Sequence, residues 1–221
     1  MPSSVITAAT QQAFLVGKDA AANLVDLIAN GSMWAFRAIG ESEKELDSIE
    51  RAVDDLLPKA ITRVSEMHAR ELLACVRVIT ELERIADLLL SAAHQLRGIS
   101  SPLSVRDRHD LLRMAAGIKK MIDESHAAIT NRDVRYITSV LRADRDIDRL
   151  RGALLQRHLQ ATARKPVQDR VRILFAGQAL ERAGDHVTNI AEEAYRLIAG
   201  GTLRHVTAKE KQSKLGTRDL E

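Results

Sequence analysis

Residues 179–195 read ALERAGDHVTNIAEEAY, and residues 81–96 read ELERIADLLLSAAHQL. Each stretch places a glutamate four residues before an aspartate: Glu181 with Asp185, and Glu83 with Asp87. On an α-helix such residues stand one above the other, and two like charges there cost roughly 0.2–0.5 kcal/mol. The apolar residues around each pair recur at three and four, as an amphipathic helix requires. Leu180, Ala183, Val187, Ile190, Ala191, Ala194, Leu197 and Ile198 share one face of the later stretch. Leu82, Ile85, Leu89, Ala93 and Leu96 share one face of the earlier. Glu181, Asp185, Asn189 and Glu192 gather on nearly the opposite side, as do Glu83, Asp87, Ser91 and His94. Two helices with an apolar front and an acidic back are the minimum reading.

Extending the same periodicity outward predicts an all-α chain. The breakers ANGS (29–32), RGISSPLS (97–104), TNRD (130–133), RKPV (164–167) and GGT (200–202) separate six helical runs. These lie near 4–29, 33–62, 68–97, 104–129, 132–162 and 167–199. Pro58 falls inside the second run, where it kinks or shortens a helix. Pro166 suits the first turn of the sixth, where its missing N–H costs nothing. Residues 27–51 parallel residues 128–152 at an offset of 101, so that Asp47 falls on Asp148 and Glu43 on Asp144. The two acidic motifs lie 98 apart. The expectation is two tandem three-helix bundles, spectrin-repeat-like, over residues 1–100 and 101–201, followed by a basic flexible tail over 202–221.

Composition narrows the class. The 221 residues are 45% apolar and 29% charged, and only 3% are aromatic. Ala- and Leu-packed helices suit that mixture better than a sheet. A net charge of +3 gives no sign of a nucleic-acid protein, which concentrates base on one face. One cysteine, Cys75, excludes an intramolecular disulfide and a thiolate zinc site. No signal peptide or transmembrane run is legible, so the expected location is cytoplasmic. His68, His109, His126 and His158 read as surface or partly buried residues, and Trp34 and Phe36 as packing between bundles. Gly17, Gly31 and Gly177 form no phosphate-cradling loop, and no Arg cluster for free phosphate stands out. No Ser-His-Asp or Cys-His pattern supports catalysis.

The acidic stripes carry the functional expectation. Arg84 and Arg182 each follow the motif glutamate by one residue, about 100° around the helix, so neither shares the stripe. A solvated polar face is the plain alternative. A cation from outside would relieve the repulsion, either an Arg of a neighbouring helix or a metal. Carboxylates suit Mg, Mn, Ca and ferric iron, and a histidine admits Zn and ferrous iron. Glu43 with Asp47, and Asp144 with Asp148, are natural partners from the second helix of each unit. A ferritin-like di-iron bundle needs Glu-x-x-His motifs, and none occurs.

At LERIAD (82–87) and LERAGDHVTNIAE (180–192) the sequence resembles the PhoU family, regulators of bacterial and archaeal phosphate uptake. DRDID (144–148) and EKELD (43–47) fit the family's acidic second helix. The resemblance implies multinuclear metal clusters on the bundle surfaces, held by Glu181, Asp185, Asn189, Asp148 and Asp144. In the first repeat it implies Glu83, Asp87, Asp47 and Glu43; His94 there and Glu192 in the second repeat are weaker candidates. Ser91 and His94 stand where the second repeat has Asn189 and Glu192, so the first site departs from the pattern. It also implies a non-enzymatic regulator that restrains a phosphate ABC transporter and a phosphate-sensing histidine kinase. On that reading the chain is at most peripheral to the membrane, with a homodimer possible. The competing reading is a metal-free helical adaptor whose acidic stripes dock a basic partner.

Overall fold

Ser32, Ser65 and Ser104 each precede an apolar-periodic run, and each caps a helix. The hydroxyl accepts the backbone N–H three residues on, from Ala35, His68 and Asp107 respectively. These caps open α2 (Met33–Ile61), α3 (Glu66–Arg97) and α4 (Val105–Asn131); α1 (Pro2–Asn30), α5 (Arg135–Gln160) and α6 (Val167–Ala199) complete the chain. The computed structural model describes residues 2–62, 64–160 and 166–200, and among them there is no strand. The tail over 202–221 and residues 161–165 of the last joint lie outside the described residues. All six helices fall within a turn of the boundaries that periodicity predicts. Pro58 ends nothing: α2 continues through it to Ile61. Pro166 is the N-cap residue of α6 and not part of its first turn.

The repeat is visible in backbone detail. α1 and α4 both stop on a left-handed residue, Gly31 at φ 67° and Arg132 at φ 52°. Each donates its N–H to the carbonyl four residues back, Leu27 and Ala128. Buried positions of α4 (Leu111, Met114, Ala115, Ile118, Met121, Ile122) match those of α1 (Thr10, Ala13, Phe14, Gly17, Ala20, Ala21) at the same offset of 101.

Within each repeat the three helices pack on one another. Between repeats α1 packs on α4 and α3 on α6, and the α3–α6 pairing is the most extensive in the molecule. The two bundles thus share one continuous core and are not merely tethered by residues 97–104. α2 touches only α1 and α3, and α5 only α4 and α6, so both lie at outer edges. This square of four central helices gives the molecule two sides. The α2–α3 and α5–α6 grooves open on the side where α3 meets α6. The α1–α2 and α4–α5 grooves open on the side where α1 meets α4.

Three readings need correction. Trp34 is 72% exposed and packs between nothing. Phe36 lies instead against the His94 ring, 5.0 Å edge-on, and the Arg97 guanidinium, 4.3 Å from the ring centre. His158 is fully buried, its Nε2 3.1 Å from the Asp107 carboxylate.

Candidate functional site

In both repeats the groove between the second and third helix is lined with carboxylates. In the first, α2 supplies Glu43, Asp47 and Glu50, and α3 supplies Glu83 and Asp87. Burial raises the Glu83 pKa above the ordinary glutamate value, and the charges of Glu50, Asp87, Asp47 and Glu43 push it the same way. Glu50 spends its hydrogen bond on Thr80, whose Oγ1 lies 2.7 Å from its Oε1. The nearest relief is at the rim, where Arg51 pairs with Asp47 at 2.8 Å. Glu50 was not singled out by sequence reasoning, although Glu43, Asp47 and Glu50 follow the i, i+4, i+7 spacing that would have found it.

The second repeat brings Asp148 of α5 together with Glu181 and Asp185 of α6. Burial and Asp185 raise Glu181, while Arg151 works against them. Burial and Asp148 raise Asp185, opposed by His186 and Arg182. The Arg182 charge acts on Asp185 only through space, and no ion pair joins it to the stripe among the described residues. Arg151 Nε donates to Gln178 Oε1 at 3.1 Å, and Gln178 Nε2 donates to Glu181 Oε2 at 2.6 Å. Arg151 and Gln178 stand where the first repeat has Glu50 and Thr80. One substitution thus exchanges a carboxylate for a cation at the same place. Gly184 allows Asp144 in close: a Cβ there would lie 3.4 Å from Asp144 Oδ1.

Asn189 and Glu192 do not join that group. Both line a cleft of about 460 Å³ between α3 and α6, with Arg77, Glu81, Glu193 and Arg196. Asn189 Nδ2 donates to Glu81 Oε2 at 3.2 Å, and His186 Nδ1 lies 2.6 Å from the same oxygen. Burial would raise Glu81, but the His186 and Asn189 bonds outweigh it and hold its pKa low. His94 sits with Phe36, eleven residues from Glu83, or about 16 Å along the helix. The donor chemistry of both grooves is hard oxygen, which fits Mg, Ca, Mn or ferric iron. Among the described residues, no three His, Cys, Asp or Glu side chains are already gathered as ligands for one ion. No helix described is long and apolar enough to cross a membrane.

Comparison with known proteins accords with this architecture. Over 187 residues the chain is 28% identical to the phosphate-specific transport system accessory protein PhoU homolog of Borreliella burgdorferi, covering 80% of this chain and 84% of that one. The Pseudomonas aeruginosa homolog of the same description is 24% identical over 187 residues, with 82% and 77% covered. The crystal structure of PhoU from Pseudomonas aeruginosa superposes with a TM-score of 0.79 at 20% identity, covering 89% of this chain and 96% of that one. The phosphate transport system regulatory protein PhoU from Streptococcus pneumoniae gives 0.75 at 17% identity, with 91% and 97% covered. The PhoU domain model matches twice, over residues 13–96 and 111–194, one match to each three-helix repeat, and the chain belongs to the PhoU family.

Proposed function

We propose that the chain is a metal-binding regulator of phosphate uptake, restraining a phosphate ABC transporter through its ATPase and a phosphate-sensing histidine kinase. The family, and relatives described as transport-system accessory proteins, supply the setting. The observation that carries the metal reading is Glu83, partly buried and raised by four neighbouring carboxylates, Glu50, Asp87, Asp47 and Glu43. A hard cation drawn into the α2–α3 groove would be held by Glu43, Asp47, Glu50, Glu83 and Asp87. In the second groove Asp144, Asp148, Glu181 and Asp185 would serve, with Arg151 already offsetting part of the charge. A bound ion supplies positive charge that inverts the local field of the groove. In this reading the chain acts by binding and not by catalysis, and ion loading sets which partner the face accepts.

A second reading has its own support. The Arg151–Gln178–Glu181 chain and the Arg51–Asp47 pair soften the acidic grooves without any ion. Such grooves would serve a metal-free adaptor as docking faces for a basic partner. Metal analysis of untagged protein, with thermal unfolding in added Mn, Zn, Ca or ferric ions, separates the two. Metal binding to the folded state raises Tm. The expected outcome is co-purified metal and a raised Tm, both reduced in Glu50→Gln/Glu83→Gln/Asp87→Asn and lost when Glu181→Gln/Asp185→Asn are added, with helicity unchanged. A protein that carries no metal and responds to none of these ions leaves the docking reading in place. Because Glu83, Glu181 and Asp185 are all raised, they take up protons earlier as pH falls. Ion release should therefore begin above the ordinary carboxylate values of about 4.

A further inference from the structure

The small net charge conceals a division. Residues 1–100 carry ten Lys and Arg against fourteen Asp and Glu, whereas residues 101–200 carry eighteen against thirteen. Part of the surplus base collects around α4 and α5. There α4 and α5 enclose a groove of about 320 Å³, with Arg113 and Lys120 on one wall and Arg142 on the other. Its floor is Gly117 with Ala143, Ile147 and Leu150. Arg145 and Arg149 extend the basic rim across the exposed back of α5. All five cations are exposed. Arg149 is paired with Asp146, and Lys120 lies 3.6 Å from Glu124. Among the described residues, no ion pair or hydrogen bond engages Arg113, Arg142 or Arg145. The cluster escapes a linear reading because its two walls are more than twenty residues apart.

The first repeat shows that the fold does not require this groove. At the offset of 101 its α1–α2 face has Gln12 for Arg113, Asp19 for Lys120, Glu41 for Arg142 and Ser48 for Arg149. Val16 stands in place of Gly117 and is itself buried, so the corresponding floor is filled. Gln12 there simply bonds Glu45, the counterpart of Asp146. Arg145 alone has a basic counterpart, Lys44; the other four cations and the glycine floor are particular to the second repeat.

We propose that the α4–α5 groove docks an acidic amphipathic helix of a partner protein. Charge complementarity selects the acidic face, since Asp146 and Asp148 are outnumbered by five cations and Asp146 is paired with Arg149. The floor selects a helix. Ala143 and Leu150 lie seven residues apart along α5, with the buried Ile147 between and beneath them, an apolar floor about two turns long that suits the anchors of a helix lying in a groove. A nucleic-acid strand would want aromatic platforms for its bases, and no aromatic residue lines this groove. A bilayer is flat and would leave the depression unused.

The test uses the full chain and a fluorescent peptide of about 18 residues, with Glu on one helical face and Leu on the other. Binding is expected to weaken about tenfold between low and high salt. It should fail when the peptide's Glu residues become Gln. Arg113→Gln/Lys120→Asp/Arg142→Glu, which installs the side chains of the first repeat, should weaken it by about tenfold or more. Gly117→Val keeps every cation and fills the floor, and should also weaken it. Unchanged helicity in both variants is required for these comparisons, and Arg142→Gln alone provides a milder change. Equal affinity in the charge variant, or in Gly117→Val, overturns the proposal. So does tighter binding to single-stranded RNA or to vesicles rich in phosphatidylserine than to the peptide. Concentration-dependent self-association that the same variants abolish would assign the groove to a second copy and overturn it as well.

Discussion

Glu83 and Glu181 occupy the same place in the two repeats, yet their surroundings differ. Glu181 receives a hydrogen bond from Gln178 and the pull of Arg151. Glu83 has neither and faces Glu50 in place of the arginine. The motif LERAGDHVTNIAE is the fuller match to the family pattern, but the more strongly unneutralised carboxylates lie in the first repeat. A raised folded-state pKa on an acid means that its charged form destabilises the metal-free fold. That penalty is present at neutral pH and fades as pH falls through the raised folded value toward the ordinary glutamate value, because over that range the folded state holds the proton and the unfolded state does not. Glu83→Gln is therefore expected to raise the Tm of metal-free protein at pH 7 while reducing any ion-induced rise to what the second groove supplies. A lowered Tm would show that Glu83 is structural.

At the scale of elements, the joint between repeats is fastened by one residue. Asp169, in the first turn of α6, accepts from the backbone N–H of Ser100 at 3.0 Å and of Ser101 at 2.9 Å. Both serine hydroxyls donate to it as well, and these four donors lower its pKa to about 2. Its stabilising effect is complete above the unfolded aspartate value of about 3.9 and is lost as pH falls through the folded value. Asp169→Ala should lower Tm at pH 7, and the gap to the unaltered chain should close in acid, between about pH 4 and 2. A gap that stays constant over that range would mean that the charged hydrogen bonds contribute nothing. The cap was half legible: Asp169 is an ordinary first-turn acid by sequence, and only the fold places residues 100 and 101 beside it.

For the whole molecule, the α3–α6 contact decides what a repeat can do alone. The two helices meet around Val78 and Ile190, which line the cleft between them and are buried. The contact also closes a cross-repeat ion pair, Arg77 to the buried Glu193 at 3.2 Å. Separated repeats would expose this apolar seam to water and leave Glu193 short of a partner. Residues 1–100 expressed alone should therefore lose the cooperative thermal transition of the full chain or self-associate. A monomeric fragment that melts as sharply as the parent would show the bundles to be independent.

The sequence by itself determined the six helices, their apolar faces, the tandem repeat and the family. Each of these rests on periodicity or on a contiguous motif, and helical geometry converts spacing along the chain directly into a face. It also named Asp148, Glu181 and Asp185 as neighbours, because the repeat carried the second-helix acids into register with the third. What only the tertiary structure decided depends on side chains arriving from different helices. Arg151 softens one acidic groove and Glu50 sharpens the other. Asn189 turns toward Glu81 across the seam, and Arg113 meets Arg142 over a glycine floor. In each case the partners are separated by tens of residues, and their charges interact through a distance that packing alone sets. Electrostatic energy falls with separation in space, and separation in sequence does not report it.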